Sequence, residues 1–125
     1  MAISQLRSNR KKTGGRYKRI KGKKKAYNGS LPAMTRIGPI SARVRRVLGG
    51  NVKPRLLCTD TVNVADNGKV SKDSVVSVLE NTANRNYIRR NVLTKGAVVE
   101  LKSGKKAIIT SRPGQSKVLN AKVIA

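Results

Sequence analysis

The chain has 125 residues, 29 Lys and Arg residues against five Asp and Glu residues, and a formal net charge of +24. Self-repulsion of this size destabilises a compact protein on its own, so the composition favours a polyanionic partner. No apolar run approaches the roughly 20 residues that span a bilayer, and we expect neither a membrane segment nor a signal peptide. With no His and only Cys58, the sequence offers few metal ligands and no disulfide framework.

Residues 1–31 form a basic extension that we expect to be irregular, disordered when free, and ordered by a nucleic acid. Its low hydrophobicity and like charge cannot repay the entropy of fixing the backbone. Residues 1–55 contain 17 of the 29 basic residues and none of the five acids. The stretch TGGR (Thr13–Arg16) either brings backbone N–H groups close to a phosphate or acts only as a flexible joint.

Residues 32–54 form a second basic segment, which we expect to be irregular and to anchor the chain. Pro32 and Pro39 bracket a short apolar strip. The next stretch, ISARVRRVL (Ile40–Leu48), fits a helical stripe and also an irregular strand, and nine residues are too few for periodicity to decide. Gly49-Gly50-Asn51 then ends this stretch.

Residues 55–125 are predicted to form an all-β domain, a small closed β-barrel of about six short strands. The pattern changes here to β-branched runs separated by turns, of which Asn67-Gly68 and Ser103-Gly104 are two-residue hairpin signals. The predicted strands are Arg55–Val64, Lys69–Asn81, Asn86–Thr94, Ala97–Lys102, Lys105–Thr110 and Lys117–Ile124. The side chains expected in the core are those of Val62, Val64, Val76, Val78, Ile88, Val99, Leu101, Ile108 and Val118.

Catalysis is not expected, because the five acids are scattered singly and no His is present. The basic residues are better suited to binding phosphate, since each cation that displaces a condensed counterion contributes favourable free energy regardless of base sequence. Only three Tyr residues are available to stack on bases, and Tyr17 and Tyr27 lie within the basic extension. So few aromatic residues favour a binder of folded RNA over a reader of single strands.

Two groups of residues are predicted to contact RNA. The first lies in the extension and comprises Arg7, Arg10, Lys11, Lys12, Thr13, Gly14, Gly15, Arg16, Tyr17, Lys18, Arg19, Lys21, Lys23, Lys24 and Lys25. The second comprises Arg36, Arg43, Arg45, Arg46, Lys53 and Arg55.

Several motifs in one order resemble the archaeal and eukaryotic-type ribosomal protein eight family of the small subunit, the e-type family. They are TGGR at Thr13–Arg16, Pro32-Ala33-Met34-Thr35-Arg36-Ile37-Gly38, the arginine-rich run from Arg43 into Gly49-Gly50-Asn51, Asn81-Thr82-Ala83-Asn84, Leu93-Thr94-Lys95-Gly96-Ala97 and Ser111-Arg112-Pro113-Gly114-Gln115. The short chain is similar to the archaeal form. Two positions depart from the family pattern, Tyr27 and Lys117.

The resemblance implies a β-barrel with a basic extension, bound to 16S-type rRNA and to neighbouring small-subunit ribosomal proteins in the cytoplasm. It implies no cofactor, catalysis, membrane partner, small-molecule substrate or homo-oligomer. The alternative is a non-ribosomal protein that compacts nucleic acid or acts as an RNA chaperone.

Overall fold

The computed structural model of the protein describes residues 5, 7–18, 22 and 24–124. The chain divides into two compact units, Met1–Pro32 and Ala33–Ala125. The first contains a short 3₁₀ turn at Lys25–Tyr27. The second contains seven strands and one helical turn: β1 Ser41–Arg46, β2 Val52–Cys58, β3 Thr61–Asp66, β4 Lys69–Glu80, α1 Asn86–Arg89, β5 Val98–Leu101, β6 Lys106–Ile109 and β7 Asn120–Val123.

The predicted all-β fold with a small closed barrel is confirmed, and five strands form the barrel. Strands β3 to β7 pair in chain order, each antiparallel to the next, and the parallel pair β3–β7 closes the sheet. Strands β1 and β2 form a separate two-stranded antiparallel ribbon, the β1–β2 ribbon. The segment whose periodicity fitted both a helix and a strand therefore contains a strand.

The turn between β3 and β4 is of the type expected from Asn67-Gly68. Both residues have positive φ, 44° and 81°. That conformation matches the right-handed twist of the flanking strands, and Asn and Gly adopt it at low cost.

Two predicted strands differ in the structure. The run Arg55–Val64 is divided, because the Thr59 backbone N–H donates to the Arg36 carbonyl (3.0 Å) and turns the chain from the ribbon into the barrel. The predicted strand Asn86–Thr94 is wrong, since it is a helical turn followed by an irregular segment. The Asn84 side chain accepts a hydrogen bond from the Asn86 N–H (2.9 Å), a local contact that competes with strand pairing.

Among the described residues the hydrophobic core cluster consists of aliphatic side chains, and the prediction of its members is partly right. Among them Val62, Val64, Val78, Val99 and Leu101 are buried, as expected. Ile88 is only half-buried, and the burial predicted for Val76, Ile108 and Val118 is wrong, with exposures of 56%, 38% and 49%. In each of these three cases a direct neighbour points inward instead, and the buried neighbours are Val75, Ala107, Ile109 and Leu119. Since side chains alternate along a strand, an error of one residue exchanges the two faces.

The barrel has two different ends. At one end lie the Asn67-Gly68 turn, the tight loop 102–105 and the end of β7, and we call it the short-turn end. At the other end lie the entry into β3 and the loops 81–97 and 110–119, and we call it the long-loop end.

Ile108 and Ile109 provide a matched test of the register of β6. Replacing Ile109, which is 1% exposed, with Asp buries an unpaired charge and is expected to cost about 4 kcal/mol or more. The same change at Ile108 leaves the carboxylate in reach of water and is expected to cost about 1 kcal/mol. Urea unfolding of both variants measures the difference. Equal destabilisation would contradict this register.

Candidate nucleic-acid interface

Within the N-terminal unit, residues 9–17 form a tight hairpin with TGGR at its tip. The Tyr17 N–H donates to the Asn9 carbonyl (3.0 Å), and the Lys11 N–H donates to the Gly15 carbonyl (2.8 Å). This part of the basic extension therefore has a local fold that depends on backbone hydrogen bonds and not on an apolar core.

The two glycines at the tip have different roles. Gly14 has φ +82° and donates its N–H to the Lys11 carbonyl (3.0 Å), which completes a three-residue hairpin loop ending in a left-handed residue. A side chain at Gly14 would be strained in that conformation. Gly15 lies outside the positive-φ region, and an added Cβ would meet only the Thr13 hydroxyl at 3.6 Å. The fold of this unit requires a glycine at position 14 and tolerates a side chain at position 15.

Two arginines face each other across this hairpin. Arg10 and Arg16 form a non-hydrogen-bonded antiparallel pair, and both side chains are exposed. In a pair of this kind the two facing side chains are closer than in a hydrogen-bonded pair. The Arg10 guanidinium donates to the Gly14 carbonyl (3.0 Å). Like charges directly opposite each other destabilise a hairpin, and an anion between them would reverse the sign of that contribution.

Two cationic side chains lie over the aromatic ring of Tyr17. The Arg7 guanidinium carbon lies 4.1 Å from the centroid of the Tyr17 ring, and the Lys11 ammonium lies 5.8 Å from it. Both distances are within the range of cation–π attraction. The ring, one of those available to stack on a base, lies in the free chain against Arg7, whose N–H edges can still bind a phosphate.

The remaining predicted residues of the extension divide into two sets. Lys12, Lys18, Lys24 and Lys25 are exposed. Arg19, Lys21 and Lys23 lie outside the described residues.

One face of the β1–β2 ribbon carries two directly opposed pairs of cations. Its register pairs Arg43 with Arg55 and Arg45 with Lys53, and alternation along the strands places these four side chains on the same face. Arg46 pairs with Val52 and belongs to the opposite face. That face also contains Leu56, which is buried in the barrel core and so fixes the ribbon to the domain.

Arg36 belongs to residues 33–38, which we call the strap. The backbone of the strap lies between β2 and the segment around Val92. The Arg36 backbone is bridged to Cys58 on one side and to Val92 on the other, and its side chain is exposed. The preceding residue, Thr35, is buried and donates its hydroxyl to the Leu56 carbonyl (2.6 Å). These contacts explain why a Thr-Arg pair follows Pro32 at this spacing.

The sequence reasoning missed three exposed arginines, Arg85, Arg89 and Arg90. Arg89 and Arg90 belong to the run Asn86–Thr94 that was interpreted as a strand, where side chains would have alternated between core and solvent, and Arg85 directly precedes it. In the structure they lie in loop 81–97. The cluster of Asn residues at 81, 84 and 86 is the signal for a loop that could have located them.

The short-turn end carries the pH-sensitive contacts of the barrel. Lys105 and Asp66 form a salt bridge of 2.7 Å, which raises the pKa of Lys105. Hydrogen bonds from the Ser103 side chain and from the Ser74 N–H (2.7 Å) hold the pKa of Asp73 below its ordinary value. Both groups therefore remain ionised at neutral pH.

No cluster of three or more potential metal ligands occurs among the residues that the structure describes. Likewise, in the described part of the chain no helix has the length and hydropathy to cross a membrane. What the two hairpins offer is exposed guanidinium and ammonium groups.

Comparison with known proteins identifies the family of the chain. The model of the family described as ribosomal protein S8e matches residues 4–124. The small ribosomal subunit protein eS8 of Methanocorpusculum labreanum is 50% identical over 122 residues, 96% of this chain and 97% of that protein. The protein of the same name from Methanobrevibacter smithii is 46% identical over 126 residues, 99% of this chain and 100% of that protein. The chain belongs to the ribosomal protein S8e family, whose members are structural components of the small ribosomal subunit and not enzymes.

Proposed function

We propose that the chain binds the 16S-type rRNA of the small subunit through two basic hairpins and lies against neighbouring ribosomal proteins there. The hairpins are residues 9–17, with Arg7 stacked on Tyr17, and the β1–β2 ribbon. Family membership locates the protein in the ribosome, in the cytoplasm.

The observation that carries this proposal is the direct opposition of like charges in both hairpins. Arg10 faces Arg16 in the first, while the second has two such pairs, Arg43 with Arg55 and Arg45 with Lys53. None of these residues has an acidic partner among the described residues, and residues 1–55 contain no acid at all. Such pairs oppose folding in water and become favourable when a phosphate lies between them.

Shape and charge, rather than base identity, determine this mode of binding. Flat cationic hairpins reach phosphates and 2′-hydroxyls of a folded RNA without entering its narrow major groove. Release of condensed counterions supplies most of the affinity, and the fixed backbones of the hairpins supply the geometry.

Gly15 has a specific role in this mechanism. The fold of the N-terminal unit tolerates a side chain at that position, and a glycine there leaves the backbone open to a phosphate. Gly14 forms the turn that presents it.

Lysate fractionation distinguishes a ribosomal protein from the alternative, a nucleic-acid compactor or RNA chaperone that binds no defined site. After a high-salt wash, we expect the chain to comigrate with small subunits in equal numbers. Dispersed association with bulk RNA or DNA would contradict the proposal and support the alternative.

Deleting residues 1–25 removes 11 Lys and Arg residues and should leave the barrel folded, because its core begins at Leu56. If about half of these cations touch phosphate, the log–log salt dependence of rRNA affinity should flatten by about 4 units, at roughly 0.7–0.9 per contact. Filter binding across a salt series gives the slope. An unchanged slope would show that the extension makes no phosphate contacts.

Substitution of Gly15 with Ala tests close approach of the backbone to RNA without changing charge. Gly22 is the matched control, since it lies in the same basic segment and an added Cβ there meets nothing within 4 Å. We expect Gly15→Ala to lower incorporation into reconstituted subunits several-fold with an unchanged salt slope, and Gly22→Ala to incorporate normally. If both variants incorporate like the wild type, charge alone explains TGGR.

A further inference from the structure

Of the two ends of the barrel, only the long-loop end contains arginine, whereas lysine occurs at both. Apart from the four arginines of the β1–β2 ribbon, all arginines of the second unit lie in the strap or at the long-loop end: Arg36, Arg85, Arg89, Arg90 and Arg112. The basic residues of the short-turn end are all lysines, namely Lys69, Lys72, Lys102, Lys105, Lys106 and Lys122. Lys95 and Lys117 also lie at the long-loop end, whereas no arginine lies at the short-turn end.

The two cations are not equivalent toward RNA. The planar guanidinium binds a phosphate through two parallel N–H groups and stacks on bases, whereas the ammonium group is a strongly hydrated point charge. Solubility alone would be served by either residue at either end. A surface on which arginine predominates over lysine is therefore suited to a fixed phosphate geometry.

The arginines of loop 81–97 are presented on a fixed frame. Asn81 is buried, its amide donates to the Val92 carbonyl (3.2 Å), and its carbonyl accepts from the Ala83 N–H (3.0 Å) and the Thr94 hydroxyl (3.1 Å). The Leu93 N–H donates to the Thr35 carbonyl (2.8 Å). Both ends of the loop are thus tied to buried backbone.

Arg36 belongs to the same surface. Its backbone is bridged to Val92, two residues from Arg90, and the Arg90 guanidinium contacts the Met34 sulfur (3.8 Å). Asp60 and Glu80 also lie at this end, and neither forms a salt bridge within the described residues. The arginines there have no acidic partner among those residues, whereas Lys105 at the other end has Asp66.

We propose that the long-loop end is a further docking surface for folded rRNA, with Arg36, Arg85, Arg89 and Arg90 binding its phosphates, and that the short-turn end faces away from the RNA. This inference rests on the proposed function and adds a third contact surface to the two basic hairpins. It also orients the barrel in the subunit.

Three triple variants of the full chain test the inference by rRNA binding, after thermal melting shows that each is folded. The first replaces Arg85, Arg89 and Arg90 with Ala, the second replaces the same residues with Lys, and the third replaces Lys69, Lys72 and Lys106 with Ala. The first and third remove the same charge from opposite ends, and the second removes only the guanidinium geometry.

The rRNA affinity of the Arg→Ala variant should fall roughly tenfold for each phosphate contact that is lost. The affinity of the Arg→Lys variant should fall several-fold, with an unchanged salt dependence because the charge is kept. The Lys→Ala variant should stay within about threefold of the wild type. Equal losses in the two Ala variants would overturn the orientation. Wild-type binding by the Arg→Lys variant would overturn the role of arginine.

The rRNA-binding results distinguish failure of this inference from failure of the proposed function. If all three variants bind like the wild type while deletion of residues 1–25 weakens binding, the docking surface is absent and the proposed function stands. If the wild-type chain itself shows no preference for small-subunit rRNA, both are overturned.

Discussion

The second unit depends on the parallel pairing of β3 with β7. The Asn63 N–H donates to the Leu119 carbonyl (2.9 Å), and the Asn63 and Asn120 side chains are hydrogen-bonded beside it (3.3 Å). This pair closes five strands over an interior of Val, Leu, Ile and Ala, a small barrel that side chains alone can fill. Because the number of strands is odd, the chain enters the barrel at one end and leaves it at the other. The strap and the β1–β2 ribbon therefore join the barrel at the end that also carries the two long loops.

Closure also permits the extreme charge of this protein. An open sheet of this size would expose an edge strand that pairs with other chains, and the barrel has none within its closed sheet. With the backbone hydrogen bonds satisfied internally, the surface is free to carry cations that repel each other. The fold tolerates that repulsion, and RNA supplies the counter-charge. Stability and binding are thus separated, since the core uses small aliphatic side chains and the interface uses Arg, Lys and backbone N–H groups.

Local turn chemistry was the most predictable feature of the fold. Asn67-Gly68 and the β-branched runs beside it identified a hairpin because positive φ is required there and few residues provide it. The choice between Ile108 and Ile109 was not predictable, since both are apolar and only pairing across the barrel decides which faces inward. Loop 81–97 was missed because the hydrogen bonds of Asn81 bring together residues that are distant in the sequence. For the candidate site, composition identified the cations, but only the register placed Arg43 opposite Arg55 and Arg46 on the other face.

Because Arg10 and Arg16 face each other, ionic strength has opposite effects on the folding of this hairpin and on its affinity for phosphate. Added salt screens the repulsion between the two guanidinium groups and raises the population of the folded hairpin in the free protein. The same salt weakens the attraction of that hairpin for phosphate. Apparent affinity is the product of the intrinsic affinity and the population of the binding-competent form, so the first effect partly offsets the second. If this hairpin binds rRNA as proposed, a salt titration of the intact chain undercounts the phosphates that it neutralises.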